Sequence, residues 1–363
     1  MANNKIRVGI IGANADRGWG SSAHIPALLA LPEYELTAVC TAHQETAEES
    51  ARKFGARLAF HDHREMVSHP DIDVVTVAVR VPYHRELTAD ALNAGKHVYT
   101  EWPLGVNLAE AEELAELARA NGVRTMVGLQ GRGSPALLRL KELVEEGYVG
   151  EVLSCHLSSF GAVGLERTSD RVWAKDWHSG VGTLNIQFGH YVDALCLCVG
   201  EISEVSAVVT TQVPQWYFTD IEETMDVTTP DNVLVSGKLA NGAVISIHVA
   251  SIPWHGSGPM IQIFGREGTL VYHGSHIDHT GLEGARNTDS SLQELPVPDR
   301  LVWVPEGVPA GPPFNVAQMY VRFAESIRAG QSMEPDFDSA VRRHKLLESI
   351  QDASDQGRRV HLD

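Results

Sequence analysis

Between residues 6 and 128, short apolar runs alternate with longer stretches whose apolar residues recur at helical spacing. The apolar runs fall at 6–11, 34–40, 74–79, 97–99 and 124–128, and the helical stretches at 47–54, 86–94 and 108–121. In the last of these, Ala111, Leu114, Leu117 and Ala118 make one stripe, and Asn121-Gly122 marks its end. A near-continuous apolar strand is one buried on both faces. The alternation therefore predicts a parallel sheet covered by helices on either side.

After about residue 129 the pattern changes. A helix at 135–146 leads into an alternating strand at 152–160, and a second helix is expected at 183–198. Strand patterns follow at 204–213, 232–239, 243–250, 260–264 and 269–273, with a hairpin signal at Asn241-Gly242 and a turn at Arg266-Glu267-Gly268. Strands joined by hairpins make an antiparallel sheet. Residues 275–313, rich in Gly, Pro, Ser and Asp, are expected to be irregular surface or a mobile loop, and helices at 316–329 and 338–356 close the chain. The expected architecture is α/β, with a dinucleotide-binding domain of the Rossmann type over 1–128. An α+β domain with a large, mostly antiparallel open sheet, serving substrate binding and oligomerisation, follows over 129–363.

The 363 residues are 43% hydrophobic and 21% charged, an ordinary globular composition. A formal net charge of −18 opposes adventitious binding to nucleic acid or anionic membrane, while leaving room for a cavity with its own local charge. No apolar run approaches the ~20 residues of a spanning helix, and the opening residues carry no secretory pattern, so a soluble, cytoplasmic protein is expected. Cys40, Cys155, Cys196 and Cys198 are too few for a disulfide scaffold and lack zinc-site spacing, so no metal is expected.

The first strand ends in a glycine-rich turn, Gly9-Ile10-Ile11-Gly12-Ala13-Asn14-Ala15-Asp16-Arg17-Gly18-Trp19-Gly20. Glycines after a buried strand let main-chain amides approach a pyrophosphate at a helix N-terminus. Gly12, Asn14, Arg17, Gly18 and Trp19 are the cofactor-binding candidates there, although five residues separate Gly12 from Gly18, unlike the usual fingerprint. The second strand ends Val39-Cys40-Thr41-Ala42-His43-Gln44, without the carboxylate that holds a ribose 2′-hydroxyl. Thr41 and His43 could accept a 2′-phosphate or simply cap the next helix. The expected cofactor is NAD(P), leaning to NADP. Arg80, Pro82 and His84 follow the strand at 74–79 and should approach the nicotinamide side, because ligands of open parallel sheets sit beyond the carboxyl ends of the strands.

Several segments together resemble the Gfo/Idh/MocA oxidoreductases: the opening turn, Ala94-Gly95-Lys96-His97-Val98-Tyr99-Thr100-Glu101-Trp102-Pro103-Leu104, Arg132-Gly133-Ser134-Pro135 and Gly147-Tyr148-Val149-Gly150-Glu151-Val152. Gly12-x-Asn14, Gly18-Trp19, His24-x-Pro26, Glu101-Trp102, Phe188-Gly189-His190 and Pro230-Asp231 further resemble the branch of the fungal galactose-regulon repressor. The resemblance implies a Rossmann domain paired with an open-sheet domain, oxidation or reduction of sugar-like substrates with NAD(P), and assembly into a dimer or tetramer. It adds Glu101 to the cofactor-binding candidates and makes His190 the catalytic one. It also implies a departure, because the family's Glu-Lys-Pro is here Glu101-Trp102-Pro103, and indole nitrogen is a donor only. The family's Asp four residues before the histidine is replaced by Ile186.

His190 could take the proton of a substrate hydroxyl during hydride transfer, since imidazole titrates in the useful range. Gln187, three residues earlier on the expected helix, would share its face, and Asp193 could orient the ring or meet solvent. Trp102, Gln130, Lys175, Trp254 and His255 are further substrate-binding candidates, with Lys175 the nearest replacement cation and Trp216 and Tyr217 able to stack on a sugar. Three functions compete. They are a hydride-transferring oxidoreductase of sugars, polyols or glycosides, a glycosidase working by transient oxidation, and a dinucleotide-binding regulator. The partner expected for the first is a small sugar-like molecule.

Overall fold

A computed structural model describes residues 5–163, 165–252, 254–274 and 281–362. The chain forms two compact units, Met1–Gly133 with Val302–Arg342, and Ser134–Leu301 with Arg343–Asp363. The sequence pattern had placed 302–342 with the second domain. Its burial against the first sheet, described below, groups it with the first.

The first unit carries six strands, β1 (Ile6–Ile11), β2 (Tyr34–Cys40), β3 (Leu58–Phe60), β4 (Val74–Val77), β5 (His97–Thr100) and β6 (Thr125–Val127). They form one sheet in the order β3-β2-β1-β4-β5-β6, parallel throughout, which is the dinucleotide-binding order with its reversal between β1 and β4. Helices α1 (Ile25–Ala30), α2 (Gln44–Phe54), α3 (His63–Ser68), α4 (His84–Asn93) and α5 (Leu108–Asn121) cover it. The helix signals act as the sequence predicts: Asn107 Oδ1 accepts the Glu110 amide at the start of α5, and Gly122 turns left-handed (φ +64°) at its end. The short strand β3 and α3 had no legible pattern.

In the second unit, α6 (Pro135–Glu145) precedes β7 (Val152–Ala162) and β8 (Glu166–Arg167), and α7 spans Gly189–Val199. The remaining strands are β9 (Ile202–Thr210), β10 (Gln215–Phe218), β11 (Glu223–Asp226), β12 (Asn232–Leu239), β13 (Val244–Ile252), β14 (Gly258–Gly265), β15 (Gly268–His273), β16 (Gly281–Arg286), β17 (Gln293–Glu294) and β18 (Val360–His361). A nine-stranded sheet runs β17-β16-β15-β14-β7-β13-β12-β9-β18; only its β7–β13 contact is parallel. A small sheet, β11-β10-β8, stands beside it in the same unit. The expected irregular segment 275–313 is corrected in part: Gly281–Arg286 is a ladder partner of β15, and 275–280 lies outside the described residues. The Asn241-Gly242 hairpin forms as expected, with Gly242 at φ +90° and Asn241 Oδ1 accepting the Ala243 amide.

Helix α8 (Pro312–Ala329) explains the division into units, whereas α9 (Phe337–Gln356) belongs mostly to the second. Val316, Met319, Tyr320 and Phe323 of α8 are fully buried in one cluster with Ile10 of β1 and Ala27 and Leu28 of α1. Each large side chain so buried stabilises the unit by roughly 1.5–3 kcal/mol. No helix among the described residues is long and apolar enough to cross a membrane.

Candidate functional site

The turn after β1 is fixed by hydrogen bonds from strand ends: Gly12 N donates to Cys40 O, and Ala78 N to Ile11 O. Gly12 sits at φ +97°, and a Cβ there would lie 2.3 Å from the Ala78 carbonyl oxygen, so only glycine fits. A Cβ at Gly18 (φ +101°) would make an ordinary contact with Gly12 O at 3.8 Å, and the residue is exposed. The turn leads into a π-wound segment, Gly20–His24, that continues as α1. Arg17 and Gly18 are exposed, Asn14 and Trp19 half-buried, and the buried Trp19 Nε1 has no hydrogen-bond partner among the described residues. An open, glycine-lined main chain at the switch point of this sheet, beside an orphaned donor, fits a dinucleotide pyrophosphate. Lys53 of α2, which the sequence reading missed, donates from Nζ to Ala15 O (2.6 Å) and stands 3.7 Å from Asp16.

At the end of β2, Thr41 Oγ1 bonds the His43 carbonyl (3.0 Å) and Thr46 Oγ1 (2.6 Å), while the exposed His43 ring makes no capping bond to α2. Thr41 thus shapes the turn, and His43 faces solvent.

The strand ends of β4, β5 and β6 converge on Glu101. Its amide donates to Val77 O, and Gly128 N donates to Thr100 O. The Glu101 carboxylate accepts from Gln130 Nε2 at 2.7 Å and stands 2.9 Å from His24 Nε2. His24 Nδ1 meets the Tyr320 hydroxyl at 2.9 Å, and that hydroxyl meets Thr76 Oγ1 at 2.9 Å. Every member of this chain is buried, and a Cβ at Gly128 would strike the Glu101 carboxylate at 2.5 Å. Burial pushes the Tyr320 phenol far above its ordinary range, so it keeps its proton and remains a donor. Glu101 and Gln130 therefore satisfy one another. Glu101 is followed by the 4% exposed Trp102, which is cis to Pro103.

His84 is 1% exposed and its ring nitrogens face Pro103 O (2.7 Å) and Val79 O (3.1 Å). Burial lowers its pKa, and it ties the turn after β4 to the Trp102-Pro103 turn rather than facing a ligand. Arg80 and Pro82, by contrast, are exposed in the same turn.

In the second unit, the expected helix 183–198 is corrected. Thr183–Phe188 is π-wound and only Gly189–Val199 is α-helical. The wider winding undoes the three-residue spacing that would set Gln187 and His190 on one face. Gln187 lines a cavity of about 370 Å³ with Arg167, Arg171, Trp173, Thr183 and Trp216, whereas His190, at the start of α7, is half-buried outside that lining. Asp193 is 1% exposed and paired with Arg343 (3.4 Å), itself fully buried and bound to Glu201. Lys175 gives its carbonyl to the Thr228 and Thr229 amides, Trp254 is 73% exposed, His255 is exposed, and none of the three lines the cavity.

His63, Glu86 and Asp90 bring three potential metal-ligand atoms within 4.8 Å of one another, but Arg64 already pairs with both carboxylates (2.7 and 3.1 Å). A guanidinium there does the neutralising a metal would do.

Residues 6–129 match an oxidoreductase family described by its NAD-binding Rossmann fold, and residues 135–274 match the Gal80p C-terminal domain. The chain is 32% identical to the dehydrogenase aclE of Aspergillus oryzae over 262 residues (69% of this chain, 72% of that protein). It is 30% identical to the galactose/lactose metabolism regulatory protein GAL80 of Saccharomyces cerevisiae over 294 residues (74% and 67%). Levoglucosan dehydrogenase of Pseudarthrobacter phenanthrenivorans is also 30% identical, over 291 residues (74% and 73%). A levoglucosan dehydrogenase solved with NADH and L-sorbose shares the fold, at TM-score 0.86 and 24% identity over 99% of both chains. With these matches spanning both units, the chain belongs to the Gfo/Idh/MocA oxidoreductase family, in the branch whose second domain is of the Gal80p type.

Proposed function

We propose that this protein is an NAD(P)-dependent oxidoreductase that transfers hydride to or from a sugar, polyol or glycoside. The observation that carries the reading is the open glycine turn at the β1/β4 switch point, next to a rigidly held Glu101 turn. Dehydrogenase relatives, aclE and levoglucosan dehydrogenase among them, support it. A bound nicotinamide would supply the hydride acceptor or donor.

The chain's own groups do the rest. Gly12, Asn14, Arg17, Gly18 and Trp19 hold the pyrophosphate, while Thr41 and His43, without a carboxylate beside them, leave the 2′ position open to phosphate. Arg80 and Pro82 border the nicotinamide side, and His84 acts one step back by fixing their turn. Glu101, immobilised by His24 and Gln130, sets the position of Trp102, whose ring replaces the family's lysine with an apolar wall and one N–H donor. His190 is the acid–base group for the alcohol proton. Gln187, which lines the cavity of the second unit, bonds a substrate hydroxyl. The protein acts as a homo-oligomer through the sheet face on which Val208, Leu234, Val244 and Phe264 are exposed; light scattering that returned a monomer mass would remove that element.

The test is nicotinamide absorbance with NAD+, NADP+ and their reduced forms across a panel of sugars and polyols. Turnover should appear with the parent and drop at least about a hundredfold in His190→Ala, the size of general acid–base catalysis, with cofactor affinity retained. Silence in both directions, with cofactor bound, would favour the second reading, a dinucleotide-dependent regulator. That reading draws on the Gal80p match and on a buried tryptophan where the family's proton-handling lysine belongs.

A further inference from the structure

The cavity of the second unit departs from the overall acidity of the chain. Its rim carries Arg167 and Arg171, while the only carboxylate among its lining residues, Asp231, is taken up by the Gln212 and Val213 amides (2.9 and 2.7 Å) and by Asn232 Nδ2 (3.0 Å). Arg167 is anchored by Nη1 bonds to Val163 O and Glu166 O (both 2.8 Å), and its guanidinium lies 4.6 Å from the centre of the Trp216 ring. Burial and the neighbouring Arg171 both lower its pKa. Among the described residues Arg171 stands 3.9 Å from the Asp170 carboxylate, and its side chain is 63% exposed. Two like charges bordering one cavity repel each other, and an anion between them would relieve that repulsion.

Elsewhere the walls suit a polyhydroxylated body. The Oε1 of Gln187 is buried and accepts no hydrogen bond among the described residues, so it calls for a ligand hydroxyl. Thr183 Oγ1 and Ser251 Oγ form a hydroxyl pair at 2.7 Å, and the rings of Trp173 and Trp216 offer apolar surface to C–H faces. A volume of about 370 Å³ suits a single sugar unit, near the lower end of the roughly 300–1,000 Å³ usual for small-ligand sites.

We propose that this cavity binds an anionic sugar, its acid group between Arg167 and Arg171 and a hydroxyl on Gln187. This rests on the reading of the protein as acting on sugar-like substrates and narrows their class. A carboxylate at the end of a sugar chain and a sugar phosphate present the same chemistry to two guanidinium groups.

The test is titration of the whole protein, at low ionic strength, with D-glucuronate, D-glucose 6-phosphate and D-glucose, followed by calorimetry. At least one of the two anions should bind about tenfold or more tightly than D-glucose, the worth of one charge-assisted hydrogen bond, and the anion that does so tells carboxylate from phosphate. Arg171→Gln should erase that preference. Arg266→Gln, which removes an equal charge from an exposed pair with Glu151, should keep it. The proposal is overturned if D-glucose binds as well as both anions, if none of the three binds to folded protein, or if Arg171→Gln leaves the preference intact. Anion binding without nicotinamide turnover of any sugar would sink the oxidoreductase reading and spare the subsite. Turnover of neutral sugars with no anion preference would do the reverse.

Discussion

Replacing Glu101 by alanine tests whether the buried chain from Gln130 to Thr76 holds the first unit together. The Glu101 side chain is 11% exposed and that of His24 0%, so water cannot replace the lost acceptor. Glu101→Ala strands the Gln130 amide and the His24 Nε2, each costing roughly 1–3 kcal/mol. The total, about 2–6 kcal/mol, brackets the roughly 3–5 kcal/mol usual for breaking a buried pair. Glu101→Gln is milder. Its oxygen still accepts from Gln130, and its amide can donate to His24 Nε2 once the imidazole proton moves to Nδ1, where the Tyr320 oxygen accepts it. Only the charge-assisted part is lost, about 1–2 kcal/mol. Because two units need not unfold together, the assay is native-state hydrogen exchange, read at the amides of β5 and at Gly128. An alanine variant within about 1 kcal/mol of the parent at those amides, or as stable as the glutamine variant, would refute the reasoning.

Two further outcomes follow from burial. In the second unit, burial pushes the His344 imidazole down to about 4, so between that value and its unfolded pKa near 6.5 the unfolded chain binds the extra proton. Stability of that unit should fall as pH drops through this window, by up to about 3 kcal/mol at its foot. His344→Phe should flatten the slope in urea titrations, and an unchanged slope would show that His344 does not carry it. Burial also pushes the thiols of Cys40 and Cys155 up to about 12 and that of Cys196 up to about 11, with Cys198 raised as well. Iodoacetamide near neutral pH should label none of the four until the protein is unfolded, and mass spectrometry showing rapid labelling of the folded protein would contradict that burial.

The parallel sheet was legible because strands buried on both faces leave unbroken apolar runs such as Ile6–Ile11 and Tyr34–Cys40. The hairpin at Asn241-Gly242 announced itself through turn chemistry, and Gly12 through its place after β1. What stayed hidden depends on distance or on winding. His24 meets Glu101 across 77 residues and Tyr320 across 296, and no local pattern encodes such a meeting. The residues of Thr183–Phe188 have the apolar spacing of an α-helix, and nothing in them announces the extra residue per turn. The amphipathic stripe of α8 shows that one face is buried but not which sheet buries it. His84 read as a cofactor contact because it follows a strand end, yet both its ring nitrogens face main-chain carbonyls rather than a ligand.

The return of Val302–Arg342 to the first unit sets a timetable for biosynthesis. Tyr320, Phe323 and their neighbours fill the space beside β1 and α1, so a ribosome that has released residue 128 has not yet delivered the material that seals this layer. About 200 more residues, up to Ala329, must be translated first, a wait of roughly 10–40 s at ordinary elongation rates. Throughout that interval the nascent chain carries an uncovered aliphatic face, where a holding chaperone would find its foothold.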